Sequence, residues 1–214
     1  MKIFKSKREA FDSENFSSVK SLVNNNLPLS EKMILLRDSI ATVKLSPNGV
    51  NELLQLLFSN SGGNIYFPRK GDNSERFDAI IEFDQYIVVA EVEIPSTEIL
   101  DAPRNLLDDY AVLKSRKGVV KKEIIPVVIC WDLPNKRTDY WNVVTDINSV
   151  LSIKIKTISI LALALYHWTK TPIRFNGDDF YLEHNNSTMF AVDGLLNTHG
   201  MKIDDFPGYF KPYK

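Results

Sequence analysis

A chain of 214 residues is long enough for one domain with a full core, and its 44% hydrophobic and 25% charged content is that of an ordinary soluble globular protein. A formal net charge of −1 gives no global pull toward nucleic acid, so any such contact has to come from local patches. The single cysteine, Cys130, excludes an internal disulfide and a cysteine-rich zinc site and suits a reducing cytoplasm; the start MKIFKSKREAF lacks the apolar run of a signal peptide, and no stretch approaches the roughly 18 apolar residues of a membrane span.

In chain order, Phe16, Val19, Leu22 and Val23 predict a short helix that ends at Asn24-Asn25-Asn26. Ser30 reads as the N-cap of a helix from Glu31 to Val43 with Met33, Leu36, Ile40 and Val43 on its apolar side. Residues 1–45 therefore read as a helical segment packed on the core, with Lys2, Lys5, Lys7 and Arg8 as a solvated arm. Ser46-Pro47 is a strong helix start, Val50, Leu53, Leu54, Leu57 and Phe58 form the buried stripe, and Gly62-Gly63 end it. Glu52 flanks that stripe, either as a plain surface residue or as a contributor to a neighbouring site. A short strand over 64–67 leads into the basic loop Pro68-Arg69-Lys70-Gly71, where Arg69 and Lys70 could meet phosphates.

The stretch Phe77 to Ile94, FDAIIEFDQYIVVAEVEI, reads as a β-hairpin turning at Asp84-Gln85. In that register Phe83 faces Tyr86, Ile81 faces Val88 and Asp78 falls opposite Glu91, with Glu93 on the same face two residues further on. Opposed carboxylates in a sheet repel unless a cation sits between them or one is protonated. A hard ion such as Mg²⁺ takes the carboxylate and carbonyl oxygens this face offers. A solvated acidic face, with Asp78, Glu82, Glu91 and Glu93 pointing into water, explains the same letters without a metal. Against it, Tyr86 to Ala90 is apolar on both faces, as a covered central strand is.

After Pro95, a helix from Arg104 to about Arg116 carries Leu106, Leu107, Tyr110 and Leu113. Its end, Lys114, Arg116 and Lys117, with Lys121 and Lys122 beyond, compensates the helix dipole and is the densest basic cluster of the chain. Glu123 to Trp131 reads as a buried strand, while 139–148 fits either a strand or a helix. SIKIKTISI (152–160) alternates, which places Ile153, Ile155 and either Ile158 or Ile160 inward and Lys154 and Lys156 outward, with room for a bulge near Thr157. Leu161 to Trp168 is a short apolar helix. From Thr171 the chain turns aromatic and Gly/Pro/Asn-rich, an irregular appendage over 171–214 whose His184 and His199 share no ligand spacing. The element order predicts an α/β (α+β) domain, a mixed central sheet flanked by helices.

The helix SPNGVNELLQLLF followed by FDAIIEF, a turn, IVVAEVE, a helix and a strand resembles the core of the PD-(D/E)xK nuclease superfamily, its restriction endonucleases in particular. The resemblance implies a nuclease-like catalytic core over residues 46–170 and Mg²⁺-dependent hydrolysis of DNA phosphodiesters, with Mn²⁺ as a substitute. It assigns Asp78 and Glu91 as metal ligands, the Ala90 backbone carbonyl as a further one, and Glu52 as an outer acid. Glu93 stands where the family usually has lysine and Phe77 where it has proline; with Glu93 in that role it would orient or deprotonate the attacking water. Double-stranded DNA would be met by Arg69, Lys70, Lys114, Arg116, Lys117, Lys121 and Lys122, and cutting a palindrome would require a homodimer. The activity implied is that of a type II restriction endonuclease. The alternatives are a nuclease of the same fold in repair, junction resolution or phage defence, and a non-catalytic nuclease-like DNA-binding module.

Overall fold

A computed structural model describes residues 20–40, 43–68, 77–95, 98–116 and 122–213. Five strands, β1 (Asn64–Tyr66), β2 (Ala79–Glu82), β3 (Tyr86–Glu93), β4 (Glu123–Cys130) and β5 (Lys156–Ser159), lie in one sheet in chain order. The first two pairings are antiparallel and the last two parallel. Two strands that run parallel need a crossover, and here both crossovers are helices: α3 (Ala102–Arg116) between β3 and β4, and α4 (Tyr140–Leu151) between β4 and β5. The segment left open between strand and helix is thus α4, which Trp141, Val144 and Ile147 bury on a helical stripe.

The helices α1 (Leu29–Ile40) and α2 (Pro47–Phe58) both pack on α5 (Ile160–Thr169). They belong to the sheet face that carries Tyr86: Phe83 stacks on Tyr86 at 4.6 Å, Phe175 sits against Phe83, Phe180 against Phe175, and Tyr166 of α5 against Phe180. The other face, with Val89 and Glu91, takes α3, which packs on β3 and β4. β3 is covered on both sides, as its apolar letters require, and Val88, Val89 and Ala90 are fully buried.

Local signals explain most boundaries. The Ser46 hydroxyl accepts from the Gly49 N–H at 3.2 Å, with Pro47 in the first turn of α2. Ser159 caps α5 in the same way through Ala162. α1 begins at Leu29, so Ser30 lies inside its first turn instead of capping it. The larger correction concerns SIKIKTISI: β5 spans only its second half, and Lys156 points inward, 2% exposed. Its ammonium donates to the main-chain oxygens of Gly177 (2.8 Å) and Asp179 (2.6 Å), carbonyls that the irregular segment after α5 folds over the strand. Lys154 is exposed as expected and pairs with Asp178. Ile160 opens α5, which removes it from the strand. That segment, 171–213, holds two isolated β-bridges, 3-10 turns and one short helix, α6 (Asp193–Thr198), yet buries Phe175, Phe180, Phe206 and Phe210 in the common core. Among the described residues no helix is long and apolar enough to cross a membrane.

Candidate active site

The β2–β3 ladder has the register the letters dictate, with Ile81 opposite Val88 and Ala79 opposite Ala90. One step further sets Asp78 opposite Glu91, and the Val92 N–H donates to Asp78 Oδ2 at 2.9 Å, which closes the hairpin at this end. Opposed side chains of such a pair start about 4.5–5.5 Å apart at their Cβ atoms. Glu93, two residues beyond Glu91, ends β3, where its carbonyl accepts from the Trp131 N–H and its Oε2 from the Glu98 N–H. All three acids thus stand at the carboxy edge of the parallel strands β3 and β4, the edge at which open α/β sheets carry their ligands.

The electrostatics of this edge are those of crowded negative charge. Glu91 is half-buried, and its pKa is pushed up to about 7, first by desolvation and then by the charge of Asp78, with Asp109 and Glu93 adding to it. The Asn105 amide, donating to Glu91 Oε1 at 3.3 Å, works the other way. Asp78 opens to solvent at the cleft mouth, yet the protein packed around its carboxyl raises its pKa against the pull of the Val92 N–H. Glu93 is raised by desolvation, with Asp78, Glu98 and Asp101 contributing, while the Glu98 N–H opposes the shift. Among the described residues neither Asp78 nor Glu91 has a lysine or arginine partner.

Beside Asp78 lies a cleft of about 470 Å³ walled by Leu45, Pro47, Val50, Pro68, Ile94 and Pro95. Asn51 lines it and Glu52 does not; Glu52 is exposed on α2. The two residues that complete the Glu91 side, Asn105 and Asp109, were missed by sequence reasoning. Asp109 is only 6% exposed, and it occupies the helix stripe of Leu106 and Leu113, so an acid at an apolar-spaced position was the available signal.

No group of three or more Asp, Glu, His or Cys side chains is placed to hold a metal among the described residues. The donors on hand are the Asp78 and Glu91 carboxylates and a main-chain carbonyl. That carbonyl is not Ala90's. In an antiparallel ladder hydrogen-bonded pairs alternate, and Phe83 N–H to Tyr86 O fixes the phase, so Ala90 exchanges its bonds with Ala79. Val92, whose N–H reaches Asp78, presents its carbonyl on that same side of the strand. Two carboxylates and a carbonyl fit a hard cation that keeps most of its water, as Mg²⁺ does.

Two of the expected DNA contacts, Lys122 and Lys114, lie away from the acids. Lys122 pairs with Glu82 at 2.9 Å and also donates to the Phe83 carbonyl, which fixes it at the hairpin-turn end of the sheet. Lys114 donates to the Tyr110 hydroxyl one turn earlier in α3. A helix returning antiparallel to its strands carries its C-terminus about 20 Å from its start, so Lys114 and the end of α3 at Arg116 belong to the edge opposite the acids. Arg69, Lys70, Lys117 and Lys121 lie outside the described residues.

No protein-family model matches this chain, and no curated protein does. Among solved structures the restriction endonuclease FokI aligns with 79% of this chain and 32% of its own, at 11% identity and a TM-score of 0.49. This chain therefore spans about a third of that structure's length.

Proposed function

We propose that this chain is a divalent-metal-dependent DNA endonuclease, of type II restriction character, acting on double-stranded DNA. The observation that carries the reading is the Asp78–Glu91 opposition at the carboxy edge of the sheet, two crowded carboxylates with no lysine or arginine among the described residues to offset them. A cation is the simplest group that removes this repulsion, and the order of elements around the pair is that of the nuclease resemblance. Mg²⁺ held by Asp78, Glu91 and the Val92 carbonyl would polarise the scissile phosphodiester and offset the charge that develops on it. Asn105 holds one Glu91 oxygen in place. Glu93 orients the attacking water and takes its proton, the part the family usually gives to lysine. A homodimer belongs to this reading, because symmetric cutting of a palindrome needs two such sites.

The test is plasmid digestion across Mg²⁺ and Mn²⁺ with the cut ends mapped. Divalent-dependent fragments of defined ends, lost in Asp78→Ala and Glu91→Ala proteins that still fold, support the restriction reading. Preference for branched or damaged DNA moves the activity to repair, junction resolution or phage defence.

A second reading, a non-catalytic nuclease-like DNA-binding module, is favoured by Glu93 in the lysine position and by the lack of a third converging ligand among the described residues. Calorimetric titration with Mg²⁺ separates the two, since binding that depends on Asp78 has no place in an inert scaffold.

A further inference from the structure

An edge that carries Asp78, Glu91, Glu93, Glu98 and Asp101 repels phosphates, so a nucleic acid can approach it only if cations stand close by. Lys114 and Lys122 belong to the other edge. Arg104, next to the Asn105 that meets Glu91, is already engaged by Asp101 (3.4 Å) and Asp139 (3.2 Å). Two others remain. Lys136 and Arg137, on the segment between β4 and α4, are exposed, and among the described residues their side chains have no ion pair or hydrogen bond.

Their position follows from a chain of contacts. β4 ends level with Glu93, and the Trp131 N–H donates to the Glu93 carbonyl, so the segment 131–139 leaves the sheet at the acidic edge. Its far end, Asp139, meets Arg104, whose neighbour Asn105 meets Glu91. The segment is also rigid. Leu133 N–H donates to the Gly208 carbonyl at 2.7 Å and Lys136 N–H to the Tyr213 carbonyl at 3.0 Å. The Trp141 indole donates to the carbonyls of Pro134 and Asn135. Asn135 Oδ1 accepts from the Arg137 N–H, a local turn that sets the two cations side by side.

We propose that Lys136 and Arg137 form the phosphate-contacting surface of the acidic edge, the place where a DNA backbone is held against Asp78 and Glu91. A fixed loop that displays two uncommitted cations contacts phosphates with little ordering cost beyond that of the side chains. This inference rests on the nuclease reading for its ligand, double-stranded DNA.

Binding of a short mixed-sequence duplex is measured by fluorescence anisotropy over a NaCl series, with Ca²⁺ in place of Mg²⁺ to hold back cleavage. Removing a cation that neutralises one phosphate lowers the steepness of log K against log[salt] by about 0.9. The expected result is that K136Q/R137Q flattens the slope by roughly one to two, that K136R/R137K restores it, and that K114Q/K122Q leaves it unchanged. All three variants are exchanges at solvent-accessible side chains, and a thermal melt confirms their folding. A slope that flattens in K114Q/K122Q and not in K136Q/R137Q overturns the inference while leaving the nuclease reading intact. Wild-type protein that binds no duplex at any salt overturns both.

Discussion

Asp78 and Glu91 stand opposite each other one rung beyond Ala79 and Ala90, and the hydrogen bond from Val92 N–H to Asp78 Oδ2 holds the first carboxylate where it raises the pKa of the second. Strand pairing alone thus places two like charges in contact range at a half-buried position. In the absence of a cation the arrangement costs stability, and that cost is measurable.

Glu91 titrates near pH 7 in the folded chain and near 4.5 when unfolded, so between those values the folded state holds the extra proton. Stability therefore falls as pH rises from about 4.5 to about 7 and stays lower above it. With allowance for solvent screening the loss is ~1–2 kcal/mol. Urea denaturation of metal-free protein at pH 5 and pH 8 should show this difference, and Glu91→Gln should remove most of it; an unchanged pH dependence in the variant would place the titration on Asp78 or Glu93.

Adding Mg²⁺ at pH 8 should raise the melting temperature of wild-type protein in proportion to the logarithm of its concentration, and should do little for Asp78→Asn. Because the ion competes with the Glu91 proton, the rise shrinks below pH 7.

For Glu93 the expected signature is kinetic. Glu93→Gln should keep Mg²⁺ affinity within a few-fold and lower the cleavage rate by about 10² or more, the usual weight of a general base. Loss of metal affinity instead would make Glu93 a ligand. Full activity would remove it from the chemistry.

Lys156 predicts a structural effect far from the acids. Lys156→Ala leaves the Gly177 and Asp179 carbonyls without their buried donor, and the expected loss is about 1–3 kcal/mol by chemical denaturation, with cleavage at permissive temperature unchanged.

At Gly63 a Cβ would stand 2.6 Å from Phe83 Cζ and 2.7 Å from Ile81 Cγ2. Gly63→Ala should cost about 1–3 kcal/mol in overpacking beneath the hairpin. A variant as stable as wild type would show that the Phe83 ring moves aside freely.

The sequence by itself determined the hairpin and its acids. Period-two alternation on either side of Asp84-Gln85 leaves one register that keeps Ile81, Val88 and Ala90 buried, and that register puts Asp78 against Glu91. The helix start at Ser46 and the buried strand from Glu123 were legible for the same reason, since each depends on neighbours in the chain. Tertiary structure decided the rest. Lys156 is buried because carbonyls from residues 177 and 179 come to it, a partner no local pattern encodes. Lys114 misses the acidic edge because the helix must run back along the sheet to begin β4, while Asn105, Asp109, Lys136 and Arg137 reach it from segments distant in sequence. Local periodicity fixed the faces of the hairpin residues; the path of the chain between elements decided which end of the sheet a residue occupies and, at Lys156, what covers it.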